Sequence, residues 1–292
     1  MHSVTGFVVK LLFLALVGFA TASPHRGEAA IFSLRTQSAE QPSQDIASEI
    51  ARLTSQLNSS DEEERRGAVL ALATLETPAA RGLLVSALGD TSERVRAAAL
   101  TALGELGDPS LAAEVAPLLI RDKSIFVRKS AAYALGRLHS PAGTAALVTA
   151  LKDKNVEVRG AAAVALAEYA DAQAIEPLAR ALTDKSEFVR AQSARALGVN
   201  SRAARSAVQN LIRVLTSDPD YEPKRQAAWA LGEIGDQSAL PALEAARRAN
   251  DPYLSSAALT AIEKIKQQVS GARGQGSGKR EFEISNLKFQ IP

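Results

Sequence analysis

The sequence predicts an all-α fold, an α-solenoid superhelix of about six helical hairpins, on three observations. The first is a period. The basic residues Arg65, Arg96, Arg128, Arg159, Arg190 and Lys224 each stand seven residues before a leucine, and successive ones are 31, 32, 31, 31 and 34 residues apart. A fixed repeat of that size marks stacked supersecondary units in place of a single globular core. The second is apolar spacing. Val95, Ala98, Ala99, Ala102 and Leu103 fall at i, i+3, i+4, i+7 and i+8, and Val158, Ala161, Ala162, Ala165 and Leu166 repeat them. That is one face of a helix, and so many alanines on it imply close backbone approach. The third is punctuation. Asp90, Asp122, Asp153, Asp184 and Asp218 stand where each first helix should begin, where a carboxylate can accept bonds from free backbone N–H groups. Gly104, Gly107, Gly136, Gly198 and Gly232 stand where it should stop.

From the N-terminus, residues 1–22 read as a secretory signal peptide. Lys10 ends a weakly basic start, Leu11 to Ala20 is an apolar run, and Ala20-Thr21-Ala22 offers a small-x-small cleavage site. The run is shorter than the ~20 residues needed to span a bilayer, so membrane contact is expected only through an uncleaved leader. Residues 23–43, rich in Ser, Pro and Gln, read as a linker. Residues 44–57 follow as an N-terminal capping helix, with Ser43 before it and Ile46, Ile50, Leu53 and Leu57 on its apolar stripe. Solenoid ends require such a lid.

The solenoid is expected over 58–268. Each first helix is followed by a short polar turn and a second apolar segment, as at Ala112 to Ile120, Ala145 to Leu151, Ile175 to Leu182 and Val208 to Leu215. Leu254 to Ile265 closes the stack, with Ser255 where earlier units carry arginine. Residues 269–278 read as a Gly/Ser-rich linker. In the tail, 279–292, Phe282 and Ile284, then Leu287, Phe289 and Ile291, alternate with polar residues, the period of a short strand. Such a tail either adds to a partner's sheet edge or needs no partner at all.

The recurring pattern Asp…Val-Arg-x-Ala-Ala-x-Ala-Leu-Gly, complete from Asp122 to Gly136 apart from Ser130, resembles the HEAT-repeat family, in particular its short phycobilisome-lyase-type repeats. The likeness covers roughly residues 58 to 268. It implies a solenoid strongly and an activity hardly at all, since that fold serves many functions. One enzymatic branch, the iron-dependent deoxyhypusine hydroxylases, carries paired His-Glu ligands at helix starts. The matching places here hold Ala97-Ala98, Lys129-Ser130, Gly160-Ala161 and Ala191-Gln192, so that site is not expected. The HEAT-like DNA glycosylases need a basic groove with aromatic contacts, whereas Trp229 falls in a stripe of small residues.

Composition narrows the function classes. The near balance of 34 basic and 32 acidic residues, a net charge of +2, gives no electrostatic footprint for nucleic acid. With no cysteine there is no disulfide, metal thiolate or catalytic thiol. Of three histidines, His2 and His25 lie in the leader and linker, and His139 stands alone in a turn. No nucleophile–base pair or metal cluster can be assembled from such a set, so no catalytic residue, cofactor or metal is expected and the chain reads as a non-enzyme.

Two groups of residues remain. Asp90, Arg96, Asp122, Arg128, Asp153, Arg159, Asp184 and Arg190 recur in phase with the packing residues, which points to a structural ladder tying units together. The exposed positions of the second helices include Glu114, Arg180, Arg205, Gln209, Arg213, Glu244 and Arg247. In such solenoids that side is concave and takes extended partners. The later units are richer in arginine, which suits an acidic protein segment. The expected function is a protein–protein scaffold or adaptor, exported to the periplasm of a Gram-negative cell or secreted. The alternatives are a lyase- or chaperone-like factor acting on a pigment-bearing protein, and an envelope assembly factor using the tail for strand addition.

Overall fold

A computed structural model describes residues 45–168 and 170–287, and among these there is helix but no strand. The expected signal peptide and linker, and the last residues of the tail, lie outside the described residues. The chain divides into residues 1–52 and 53–292. Helix α1, residues 45–57, crosses that boundary; Ile46 is exposed, Ile50 and Leu57 are half-buried, and Leu53 is buried.

The second unit is a stack of helical pairs. The first helices are α2 (Glu62–Leu72), α4 (Glu93–Leu106), α6 (Ile125–Leu138), α8 (Val156–Leu166), α10 (Glu187–Val199) and α12 (Tyr221–Ile234). The second helices are α3 (Pro78–Ala87), α5 (Ala112–Arg121), α7 (Pro141–Ala150), α9 (Ile175–Ala181), α11 (Val208–Ser217) and α13 (Leu240–Ala246), with α14 (Pro252–Leu287) last. Each first helix lies against the next, from α2 through α14, and each second helix packs on the first helix of the following pair. The described residues thus hold the six hairpins that the period predicts, built as an all-α solenoid.

The core follows the sequence period. Leu72, Leu103, Leu135, Leu166, Leu197 and Leu231 are each 1% exposed or less. Burying one such side chain contributes roughly 1.5–3 kcal/mol, so this leucine column is a large part of the apolar support of the stack. Alanines fill the seam between first helices: Ala99, Ala132, Ala162, Ala194 and Ala228 are all buried.

The aspartates do not cap helices as the sequence suggests. The caps are Ser92, Ser124 and Asn155, two residues later, whose side chains accept from Arg94, Val127 and Glu157 N–H groups. Each aspartate instead accepts from the N–H of the residue two further on: Ser92, Ser124, Asn155, Ser186 and Asp220, at 2.7–3.0 Å. The carboxylate thereby folds the turn that leads into the helix.

The glycines after Ala-Leu also differ from expectation. Helices α4, α6, α10 and α12 run through Gly104, Gly136, Gly198 and Gly232 and continue for one or two residues. Where alanine replaces the glycine, at Ala73 and Ala167, the helix ends at the leucine. The glycines serve close approach: a Cβ on Gly104 would meet Ala134 Cα at 2.9 Å, and one on Gly232 would meet Ala261 Cα at 2.8 Å. Packing so near the next helix gives the final turn tertiary contacts, which is what keeps a short helix formed. Gly107 does stop a helix as expected, with φ of +62°.

The last helix is a further correction. Leu254, Ala258, Ala261, Ile262 and Ile265 are buried, as a closing helix requires. Yet α14 continues to Leu287, through the residues read as a Gly/Ser linker and into those read as a strand. Once the docked turns nucleate a helix, each added residue gains a hydrogen bond without paying the nucleation cost again.

Candidate protein-interaction surface

Each ladder arginine lies on the first turn of a first helix and points across the seam. Arg96 makes a two-pronged bond to Asp122 (2.8 and 2.9 Å), Arg128 to Asp153 (2.8 and 3.1 Å), Arg159 to Asp184 (2.7 and 2.9 Å) and Arg190 to Asp218 (2.7 and 2.8 Å). Arg65 does the same to Asp90. The remaining guanidinium nitrogen donates backwards, to the carbonyls of Asp90 and Thr91 for Arg96 and of Asp122 and Lys123 for Arg128. One side chain therefore joins its own entry turn to the carboxylate of the next unit. Planar, five-donor arginine suits this fork; the point charge of lysine does not.

The last rung shifts by one residue. Lys224, the expected anchor, stands over the Tyr221 ring, and Arg225 takes the rung by binding Asp251 at 3.1 and 2.6 Å. A second row of links, not foreseen, runs along the other end of the pairs. There Asp108, Asp171 and Asp236 each fold a 3-10 turn by accepting from Ser110, Gln173 and Ser238 N–H groups. Each also meets the preceding unit: Arg81 with Asp108 at 2.7 Å, Thr144 with Asp171 at 2.7 Å, and Arg205 with Asp236 at 3.9 Å.

Charge states follow from this geometry. Burial pushes the carboxyls of Asp90, Asp122, Asp184 and Asp218 up, but the arginine fork, the backbone N–H and the arginine charge together outweigh it and hold them low. A carboxylate whose folded pKa lies below its unfolded value, about 3.9, stabilises the fold fully above that value. That contribution is lost as pH falls through the depressed folded values. The thermal midpoint followed by circular dichroism should therefore be nearly flat from pH 7 to about 5 and fall steeply below about pH 4. A midpoint unchanged down to pH 2 would show the ladder carboxylates to be energetically idle.

The candidate partner residues fare unevenly. Glu114, Gln209 and Arg213 are exposed on α5 and α11. Arg180 is exposed on α9 but pairs with Glu176, and Arg247 pairs with Glu244, which Lys266 also approaches. Arg205 is a correction: it lies in the 3-10 segment Ser201–Ala207 ahead of α11 and belongs to the second row of links. Two cations passed over in the sequence, Arg121 at the end of α5 and Lys152 just after α7, are exposed and in no ion pair among the described residues. Their signal was their place, one residue before Asp122 and Asp153.

On the first-helix side, Trp229 is 37% exposed and leans over Gly198, outside the small-residue stripe. His139 closes α6 in the left-handed region with φ of +47°. Among the described residues no group of three or more His, Asp or Glu is placed to hold a metal ion, and no helix is long and apolar enough to cross a membrane. The clefts are open furrows between neighbouring helices, such as the one lined by Glu63, Arg66, Arg94 and Phe126.

No curated protein matches the chain. Among solved structures it is similar to the YibA protein of Escherichia coli, at 23% identity over 75% of this chain and 82% of that one, with a TM-score of 0.56. An archaeal HEAT-like repeats protein from Thermococcus onnurineus matches at 14% identity over 75% and 97%, with a TM-score of 0.54. The CpcE–CpcF complex of phycocyanin lyase from Nostoc matches at 24% identity over 74% and 86%, with a TM-score of 0.46. At these identities the first two speak to the fold alone. The family model for HEAT repeats matches in overlapping segments, residues 50–135, 112–198 and 182–263. Stacked pairs, arginine forks in phase and that match over most of the chain make this protein a member of the HEAT-repeat family.

Proposed function

We propose that the protein is a non-enzymatic scaffold or adaptor that holds a protein partner against the face of its second helices. One observation carries this reading. The ladder arginines are spent inside the stack, whereas the second helices leave Glu114, Gln209 and Arg213 exposed along one side of a preorganised row. A rigid row of this kind avoids the ordering cost that a flexible surface pays on binding. The apolar run from Leu11 to Ala20 and the site at Ala20-Thr21-Ala22 support a location outside the cytoplasm, periplasmic or secreted.

The test is site-specific photocrosslinking of the full chain in its own cells. Crosslinkers at Glu114, Gln209 and Glu244 should trap one partner; those at Tyr133 and Trp229 on the first helices should not. Deleting residues 279–292 should leave that pattern unchanged. Crosslinks arising from the first helices, or vanishing with the tail, would overturn the proposal.

A further inference from the structure

Two shallow clefts run along the ends of the second helices and meet. One, between α7 and α9, is lined by Lys152, Arg180, Thr183 and Asp184. The other, between α9 and α11, is lined by Thr183, Arg190, Arg213 and Asp218. Thr183 belongs to both, so the two form one groove crossing three helices. Their volumes of 210 and 320 Å³ suit single side chains of an extended segment, being at or below the lower end of small-molecule pockets.

The groove's charge is set by what is already paired. Asp184 is held by Arg159, and Asp218 by Arg190. Lys152 and Arg213 are exposed and in no ion pair among the described residues. Arg180 pairs with Glu176 at the surface, where both side chains are more than half exposed. So exposed a pair contributes little and can be exchanged for another carboxylate. The groove thus offers cations whose own acids are occupied elsewhere.

We propose that this groove binds an extended acidic segment of the partner protein, with its carboxylates on Lys152 and Arg213 and its main chain crossing at Thr183. The inference rests on the reading that the partner docks on the second helices. At the wide end of helix spacing, roughly 10 Å per step, Lys152 and Arg213, two helix steps distant, stand about 20 Å from each other. An extended chain covers that in about six residues, which sets the spacing of the acids it needs.

The experiment titrates the full chain with a fluorescent twelve-residue Glu-Ser peptide, its Gln-Ser counterpart and a single-stranded oligonucleotide. The Glu-Ser peptide should bind, weakening with salt as exposed charges are screened, and the Gln-Ser peptide should not. The Lys152→Glu/Arg213→Glu variant should lose about tenfold or more in affinity, and Arg202→Glu/Arg248→Glu, with the same net charge change outside the groove, less than about twofold. All four positions are exposed, so the thermal midpoint of each variant serves as the folding control. Equal loss in both variants, no binding of the acidic peptide, or tighter binding of the oligonucleotide would each overturn the assignment. If second-helix crosslinks persist while the acidic peptide fails to bind, the scaffold reading stands and only this inference falls. If those crosslinks fail, the scaffold reading falls first.

Discussion

Arg96→Ala is expected to lower the unfolding free energy by about 3–5 kcal/mol, the usual cost of removing one partner from a buried ion pair. The Arg96 and Asp122 side chains are only 8% and 9% exposed. Without the guanidinium, Asp122 keeps one described donor, the Ser124 N–H, and the carbonyls of Asp90 and Thr91 lose theirs. The penalty comes from that stranded charge. Arg81→Ala tests the point, because Arg81 and Asp108 lie at 2.7 Å but are 47% and 27% exposed. Its loss should cost about 0–1 kcal/mol. Urea unfolding of the two variants separates shielded rungs from surface pairs. Because units contact only their neighbours and Arg96 ties the α4–α5 pair to α6, Arg96→Ala should also split the transition, the segment from α2 to α5 melting before the rest. Equal costs below about 1 kcal/mol for both variants would show that burial lends the rungs nothing.

The period, the helical pairs and the leucine column are all legible in the sequence because they depend on local spacing. The ladder is legible only in part. Arginine and aspartate recur in phase, but each fork joins residues 25 to 28 apart, a reach fixed by the length of the second helix between them. Read locally, Asp122 resembles a helix cap; it is drawn into the seam by Arg96, and Ser124 caps α6 in its place. Lys224 aligns better than Arg225, yet only the planar side chain can grip both oxygens of Asp251. The second row of links is not legible because its side chains are not uniform, Thr144 standing where a repeat of Arg81 and Arg205 would need arginine. The groove at Thr183 depends on which acids are already bonded, and a sequence does not report pairing.

Gly136→Val is expected to cost about 1–3 kcal/mol or more, the range for overpacking a filled core. The first added carbon would stand 2.9 Å from Ala165 Cβ and 3.0 Å from its Cα, so the obstacle is partly backbone and cannot swing aside. Two smaller effects oppose each other in Gly136→Ala: alanine gains about 1 kcal/mol of helix propensity, while α6 and α8 must part. At Gly67, exposed within α2, a Cβ meets nothing within 4 Å. Gly67→Ala should therefore raise stability by about 0.5–1 kcal/mol. The repeat itself points the same way. Ala73 and Ala167 occupy the glycine's place just after α2 and α8, and the α2–α4 and α8–α10 seams are the less extensive ones in the stack. Where alanine stands at this position the first helix is shorter and its seam with the next is smaller. A Gly136→Val variant with an unchanged thermal midpoint would show that close approach does not explain the glycines.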